Sequence, residues 1–135
     1  MIMPVIRSFR ELDVYRMGNE QAQVIFRETK MFPREEMYSL TDQIRRSSRA
    51  VNAMVAEAWA RRLYPAAFVN KINEALGEAM ETQAWLDHAL SCEYIKAARH
   101  TELDAKWNHI GAMLNRIIET ADSFCKTAAP QPRKK

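Results

Sequence analysis

Residues 101–125, TELDAKWNHIGAMLNRIIETADSFC, decide the fold. Leu103, Trp107, Ile110, Leu114, Ile117, Ala121 and Phe124 alternate spacings of four and three without a break. At about 100° per residue this lays their side chains along one stripe of an α-helix, and so continuous a stripe is a seam for packing against other helices. Thr101 is expected to cap that helix, with Glu102 and Asp104 near its positive end.

The chain before it is punctuated at Pro4, Phe32-Pro33, Tyr64-Pro65 and Cys92 to His100, which delimits four helical segments of about 22 to 30 residues. In the first, Leu12, Tyr15, Asn19, Ala22, Phe26 and Thr29 form the stripe. In the second it is Leu40, Ile44, Ser47, Val51, Met54 or Val55, and Ala58. The third runs Phe68, Ile72, Ala75 or Leu76, Ala79, Gln83, Leu86 and Leu90, and its polar member Gln83 needs a partner if buried. Pro33 before Arg34-Glu35-Glu36, and Pro65 before Ala66-Ala67, put proline where a first helical turn tolerates it. No period-two run rich in Val, Ile and Thr suggests a strand. Short links after residues 32, 63 and 92 make sequential helices antiparallel. The expectation is all-α: an antiparallel up-down-up-down four-helix bundle forming a single domain over residues 1–127, with residues 128–135 a basic, disordered tail.

Composition narrows the function classes. A chain of 135 residues can bury roughly two-thirds of its unfolded surface. With 47% apolar and 27% charged residues it falls outside the disordered and collagen-like classes. Its uncharged apolar runs are far shorter than the ~20 residues of a membrane span, and its first residues contain no apolar segment of signal-peptide length, so a cytoplasmic location and no membrane partner are expected. Cys92 and Cys125 are too few for a disulfide scaffold or a structural zinc site and are expected as buried thiols.

No catalytic, cofactor or metal site is expected. None of His88, His100 and His109 follows a Glu by three residues, and no two histidines stand four apart. Phosphate-binding glycine loops and the G-x-S-x-G turn are missing, and Gly18, Gly77 and Gly111 fit close helix contacts better. Cys92 and His88 sit one helical turn apart, yet nothing in the sequence supplies an orienting group or an oxyanion site for such a pair.

Charge is more informative. Arg133, Lys134 and Lys135 account for the whole net charge of +3, but residues 43–63 hold five Arg against Glu57, whereas residues 65–92 set Lys71 against Glu74, Glu78, Glu81 and Asp87. With Leu40 at zero, Arg45, Arg49 and Arg46 fall near about 140°, 180° and 240°, away from the core stripe. Ala53, Ala56 and Ala60 share that back face, either as small residues at a subunit interface or as good helix formers. Arg61 and Arg62 lie at the helix end, where they complement the dipole. The arginine set admits three readings: a solvated, salt-bridged face, a phosphate-backbone surface, or a contact with a partner protein. Trp59, Trp85 and Trp107 do not interleave with the arginines, so nucleic acid would be held by backbone charge and shape.

The order Phe9-Arg10-Glu11-Leu12-Asp13-Val14-Tyr15, followed by Phe32-Pro33-Arg34-Glu35 and Leu40-Thr41-Asp42-Gln43-Ile44-Arg45-Arg46-Ser47-Ser48, resembles the four-helix bundle protein family encoded in 23S ribosomal RNA intervening sequences. Val51, Val55, Ala56 and Glu57 keep a further element of its pattern, as do Ala75-Leu76-Gly77 and Glu81; the resemblance spans about residues 9 to 125. Met54, Ala58 and Glu78 depart from it, where the family usually has Asn, Gly and Ser. The resemblance implies a non-catalytic bundle assembled as a homopentamer. It is similar also to the accessory variability determinant of diversity-generating retroelements, a basic pentamer that binds nucleic acid and a reverse transcriptase.

Together these expectations describe an oligomeric, non-enzymatic bundle that associates with RNA or another nucleic acid through Arg45, Arg46, Arg49, Arg61 and Arg62. The alternative is an accessory scaffold, for example for a reverse transcriptase. Arg45 and Arg46 would leave the binding set if they tie helices or subunits together through Glu57 or Glu81.

Overall fold

In the computed structural model, which describes residues 5–125, four long helices pack together and no strand occurs among the described residues. They are α1 (Asp13–Thr29), α2 (Leu40–Ala60), α3 (Pro65–Ser91) and α4 (Ala97–Glu119), with a single turn α5 (Ala121–Phe124) after α4. The tail expected at 128–135 lies outside the described residues. Cross-helix partners fix the directions. Ser47 meets Thr82 near one end of the α2–α3 pair and Glu57 meets Lys71 near the other, so these helices run oppositely. Gln83–Asp104 and Asp87–His100 do the same for α3 and α4, as do Thr29–Arg45 and Tyr15–Asn52 for α1 and α2.

The seam read in α4 is buried as expected from Leu103 through Ile117, and Trp107 has no exposed surface. Each such side chain contributes roughly 1.5–3 kcal/mol of burial. Beyond Ile117 the helix breaks at Thr120, and Phe124 of α5 stacks on Phe68 at 6.1 Å. The start of α4 differs from expectation. Lys96 is the cap residue, and Thr101 lies inside the helix with its hydroxyl donating to Ala97 O at 3.1 Å.

The α1 stripe is rotated from the one read in the sequence. Val14, Gly18, Gln21, Ala22, Ile25 and Thr29 are buried, whereas Asn19 is exposed and Tyr15 and Phe26 lie at the boundary. A Cβ at Gly18 would collide with Asn52 Oδ1, so the missing side chain lets α1 approach α2 there. The α2 stripe holds as read, and Ser47 meets Thr82 at 2.8 Å, both fully buried. Thr82 and Ala89 take the α3 core positions assigned to Gln83 and Leu90; Gln83 is half-buried and donates to Asp104 at 3.1 Å. Pro65 is the first residue of α3, but Pro33 opens only a 3-10 turn, Arg34–Glu36, before α2 begins at Leu40.

Glu36 joins the two links at that end of the bundle. Its carboxylate accepts from Ser39 Oγ, from Leu40 N at 3.3 Å and from Tyr94 Oη at 2.7 Å. The Ser39 and Tyr94 hydroxyls hold its pKa below the usual 4.5, and the same carboxylate pushes the Tyr94 phenol well above its usual range. Opposite it, α3 ends in a Schellman turn: Tyr94 N donates to Ala89 O and Glu93 N to Leu90 O, both at 2.9 Å, with Glu93 in the left-handed region at φ 62°.

Candidate nucleic-acid interface

The five arginines expected to act together do not form one surface. Arg61 and Arg62 sit at the far end of α2, 16 residues beyond Arg45 and Arg46, respectively, or about 24 Å at the helical rise. Arg61 is exposed. Arg62 lies over the Trp59 ring at 3.5 Å and donates from Nε to Trp59 O at 2.9 Å.

Consecutive residues on a helix diverge by about 100°, which separates Arg45 from Arg46. Arg46 turns to α3, where it pairs with Glu81 and, at 3.2 Å, with Glu78; Trp85 Nε1 donates to the same Glu81 oxygen at 3.1 Å. Two carboxylates around one guanidinium leave that spot net negative, which opposes an anion. Glu57, the other acid considered as an arginine partner, instead receives Lys71 at 3.2 Å.

Arg45 and Arg49 turn to α1. Arg45 Nε donates to Thr29 Oγ1 at 2.8 Å, and the Arg45 and Arg49 guanidinium carbons lie 4.7 and 5.4 Å from the Phe26 centroid. Lys30 Nζ comes to 4.9 Å of the same ring. Three cations thus share one aromatic ring, each gaining roughly 0.5–1 kcal/mol from its quadrupole at a partly exposed site. Among the described residues no carboxylate oxygen lies within 4.0 Å of any of the three. The nearby acids are engaged elsewhere: Glu28 accepts from Arg99 at 2.7 Å, and Glu36 holds the α2 start. Asp42, in the first turn of α2, and Glu35, in the α1–α2 link, are exposed acids at this end.

Sequence reasoning missed Phe26 and Lys30. The spacing of α1 puts Phe26 in the core stripe, and the tryptophans, the aromatic residues weighed against the arginines, lie on α2, α3 and α4. The signal was a pair of i, i+4 spacings, Phe26 with Lys30 and Arg45 with Arg49, on helices joined by one short link.

Other groupings are weaker. Asp87, His100 and Asp104 each bring a ligand atom within 4.8 Å of the others, and internal bonds already account for this: His100 Nε2 to Asp87 at 2.8 Å and Gln83 to Asp104. Cys92 is exposed rather than buried, because α3 ends beside it; Cys125 is buried, and burial raises its thiol pKa. Cys92 and His88 border a cleft of about 380 Å³ with Glu36, Ser39 and Trp85. An apolar cleft of about 360 Å³ lies between the start of α1 and the end of α4, lined by Leu12, Val14, Met113 and Ile117. No helix among the described residues is long and apolar enough to cross a membrane.

Comparison with known proteins agrees with the fold. A crystal structure of a protein of unknown function from the S23 ribosomal protein family of Bacteroides thetaiotaomicron superposes with a TM-score of 0.72 at 31% identity, covering 79% of this chain and 96% of that one. No curated protein sequence matches the chain. The pattern that defines the 23S rRNA-intervening sequence proteins matches residues 10–116, most of the four-helix bundle, and the chain therefore belongs to the 23S rRNA-intervening sequence protein family.

Proposed function

We propose that this protein is a non-enzymatic, cytoplasmic binding module that associates with RNA, and that it does so through phosphate contacts at Lys30, Arg45 and Arg49. The observation that carries this reading is the convergence of these three cations on Phe26 with no carboxylate paired to them among the described residues. Cations gathered without counter-charge attract an anion, and guanidinium groups on a rigid helix suit a phosphate fork. Arg46, engaged by Glu78 and Glu81, drops out of the contact set, and Arg61 and Arg62 can serve only a strand that runs the length of α2.

Self-assembly, with a homopentamer as the expected form, belongs to the same proposal. Leu63, Tyr64 and Met80 are exposed large apolar residues away from the cation cluster and give a second copy something to bury. Those residues also favour the second reading, a scaffold that holds a protein partner such as a reverse transcriptase.

Titrating a labelled generic RNA at increasing salt tests the main reading. Log affinity is expected to fall linearly with log salt. No binding at low salt would overturn it and leave the scaffold reading. Light scattering that finds only a 15.7 kDa species at micromolar concentration would overturn the pentamer.

A further inference from the structure

We propose that the nucleic acid held at the Phe26 cluster is single-stranded, with an unpaired base stacking on Tyr38; this rests on the phosphate-binding reading above and specifies its ligand. Tyr38 is 93% exposed and makes no aromatic or cation–ring contact among the described residues, in the turn that precedes α2. Its neighbours in the α1–α2 link, Met31 and Met37, are 84% and 44% exposed. The other aromatics of this end are used: Phe32 packs on Tyr94 at 5.4 Å, and Phe26 lies under the cations. Ser39 and Leu40, next in sequence, border the cleft shared with Trp85 and Cys92, a contact in which Tyr38 takes no part.

The link brings Tyr38 to the same end of the bundle as the charge. Lys30 closes α1 and Met31 follows it, while Arg45 and Arg49 stand about 7.5 and 13.5 Å along the axis from the start of α2 at 1.5 Å per residue. Arg45 is bonded to Thr29, the last residue of α1, so the cluster lies at the same end of the bundle as the link. Cations that track a backbone and an open aromatic face at the same end of the fold are the two parts of a single-strand site. A duplex offers phosphates to the cations but keeps its base faces stacked on one another, so the Tyr38 ring adds nothing for it. Charge complementarity thus selects a polyanion over an apolar protein partner for this patch, and the ring selects the unpaired form.

Fluorescence anisotropy with the full chain and three labelled oligonucleotides of equal length tests the inference: a single-stranded RNA, the same RNA as a duplex, and an abasic single strand. Single-stranded RNA is expected to bind best. Tyr38→Ala should weaken it by roughly 5- to 150-fold, the equivalent of one stacked base, with the duplex and abasic strands unchanged. Tyr38→Phe should keep the affinity, since stacking needs the ring and not the hydroxyl. If single-stranded RNA binds with steep salt dependence but Tyr38→Ala is silent, or lowers all three alike, the stacking inference falls and the phosphate reading stands. If none of the three binds at low salt, the phosphate reading falls and takes the inference with it.

Discussion

Arg45 Nε donates to the Thr29 hydroxyl at 2.8 Å, and that hydroxyl donates in turn to Phe26 O at 2.9 Å, so the guanidinium is fixed across the α1–α2 seam above the Phe26 ring. A cation positioned by a neutral hydroxyl keeps its full charge for an incoming phosphate. Arg46, one residue on, spends its charge on Glu78 and Glu81. Arg45→Ala and Arg49→Ala are each expected to reduce the slope of log affinity against log salt by about one. Arg46→Ala should leave that slope unchanged and cost up to about 1 kcal/mol of stability, because its pairs are partly exposed. Asp42→Asn, which removes an exposed acid three residues before Arg45 on α2, should tighten binding. Equal slopes for the Arg45 and Arg46 variants would contradict this division.

The close approach at Gly18 makes a double-mutant cycle informative. Gly18→Ala gains about 1 kcal/mol of helix propensity but pushes Asn52 off its 2.9 Å bond to Tyr15 O, at a cost of about 1–3 kcal/mol. The single variant should unfold at lower denaturant than the parent. In an Asn52→Ala background the same change should become neutral or stabilising, and denaturant midpoints of the four proteins check the coupling.

Glu93 occupies the left-handed position that closes α3, where a side chain with Cβ is disfavoured by about 1–2 kcal/mol. Glu93→Gly should therefore raise stability by about 1 kcal/mol after the extra freedom of glycine in the unfolded chain is subtracted. Thermal unfolding at fixed protein concentration should show Tm rising by a few degrees.

Glu36 gives the acid response its sign. Its carboxyl pKa in the folded chain lies below the ordinary 4.5, so its contribution is present above that value and is lost as pH falls through the depressed one. Acidification below about 4.5 should loosen the start of α2 and the Tyr94 link before the remainder of the bundle. In Glu36→Gln the acid limb of a Tm–pH curve should be shallower; an unchanged limb would show that other carboxylates control it.

The α4 seam was legible from Leu103 to Ile117 because every third or fourth residue there is large and apolar; its continuation to Ala121 and Phe124 was not, because the helix breaks at Thr120 and Phe124 packs on Phe68 from a separate turn. The α1 stripe was not, because Gly18 and Gln21 carry no hydrophobic signal, while Tyr15 and Phe26 look like core and lie at its edge. In α3, the hydroxyl of buried Thr82 donates to Glu78 O in its own helix and also meets Ser47 across the seam, the second pairing being invisible to a reading of one helix at a time. The candidate site shows the same limit. The arginines of α2 were visible, but which of them share a surface depends on Phe26 and Lys30 from α1 and on Glu78 and Glu81 from α3. Arg45 and Arg46, side by side in sequence, are sent by the fold to opposite partners, Thr29 of α1 and the acids of α3.

Crowding Lys30, Arg45 and Arg49 around one ring stores mutual repulsion in the native chain, which relaxes when the helices come apart. Multivalent anions should therefore toughen this protein against heat more than monovalent salt of equal ionic strength does, and truncating Arg49 should blunt that protection. On the phosphate-binding proposal, the bundle is expected to be most secure with something negative lodged against its flank.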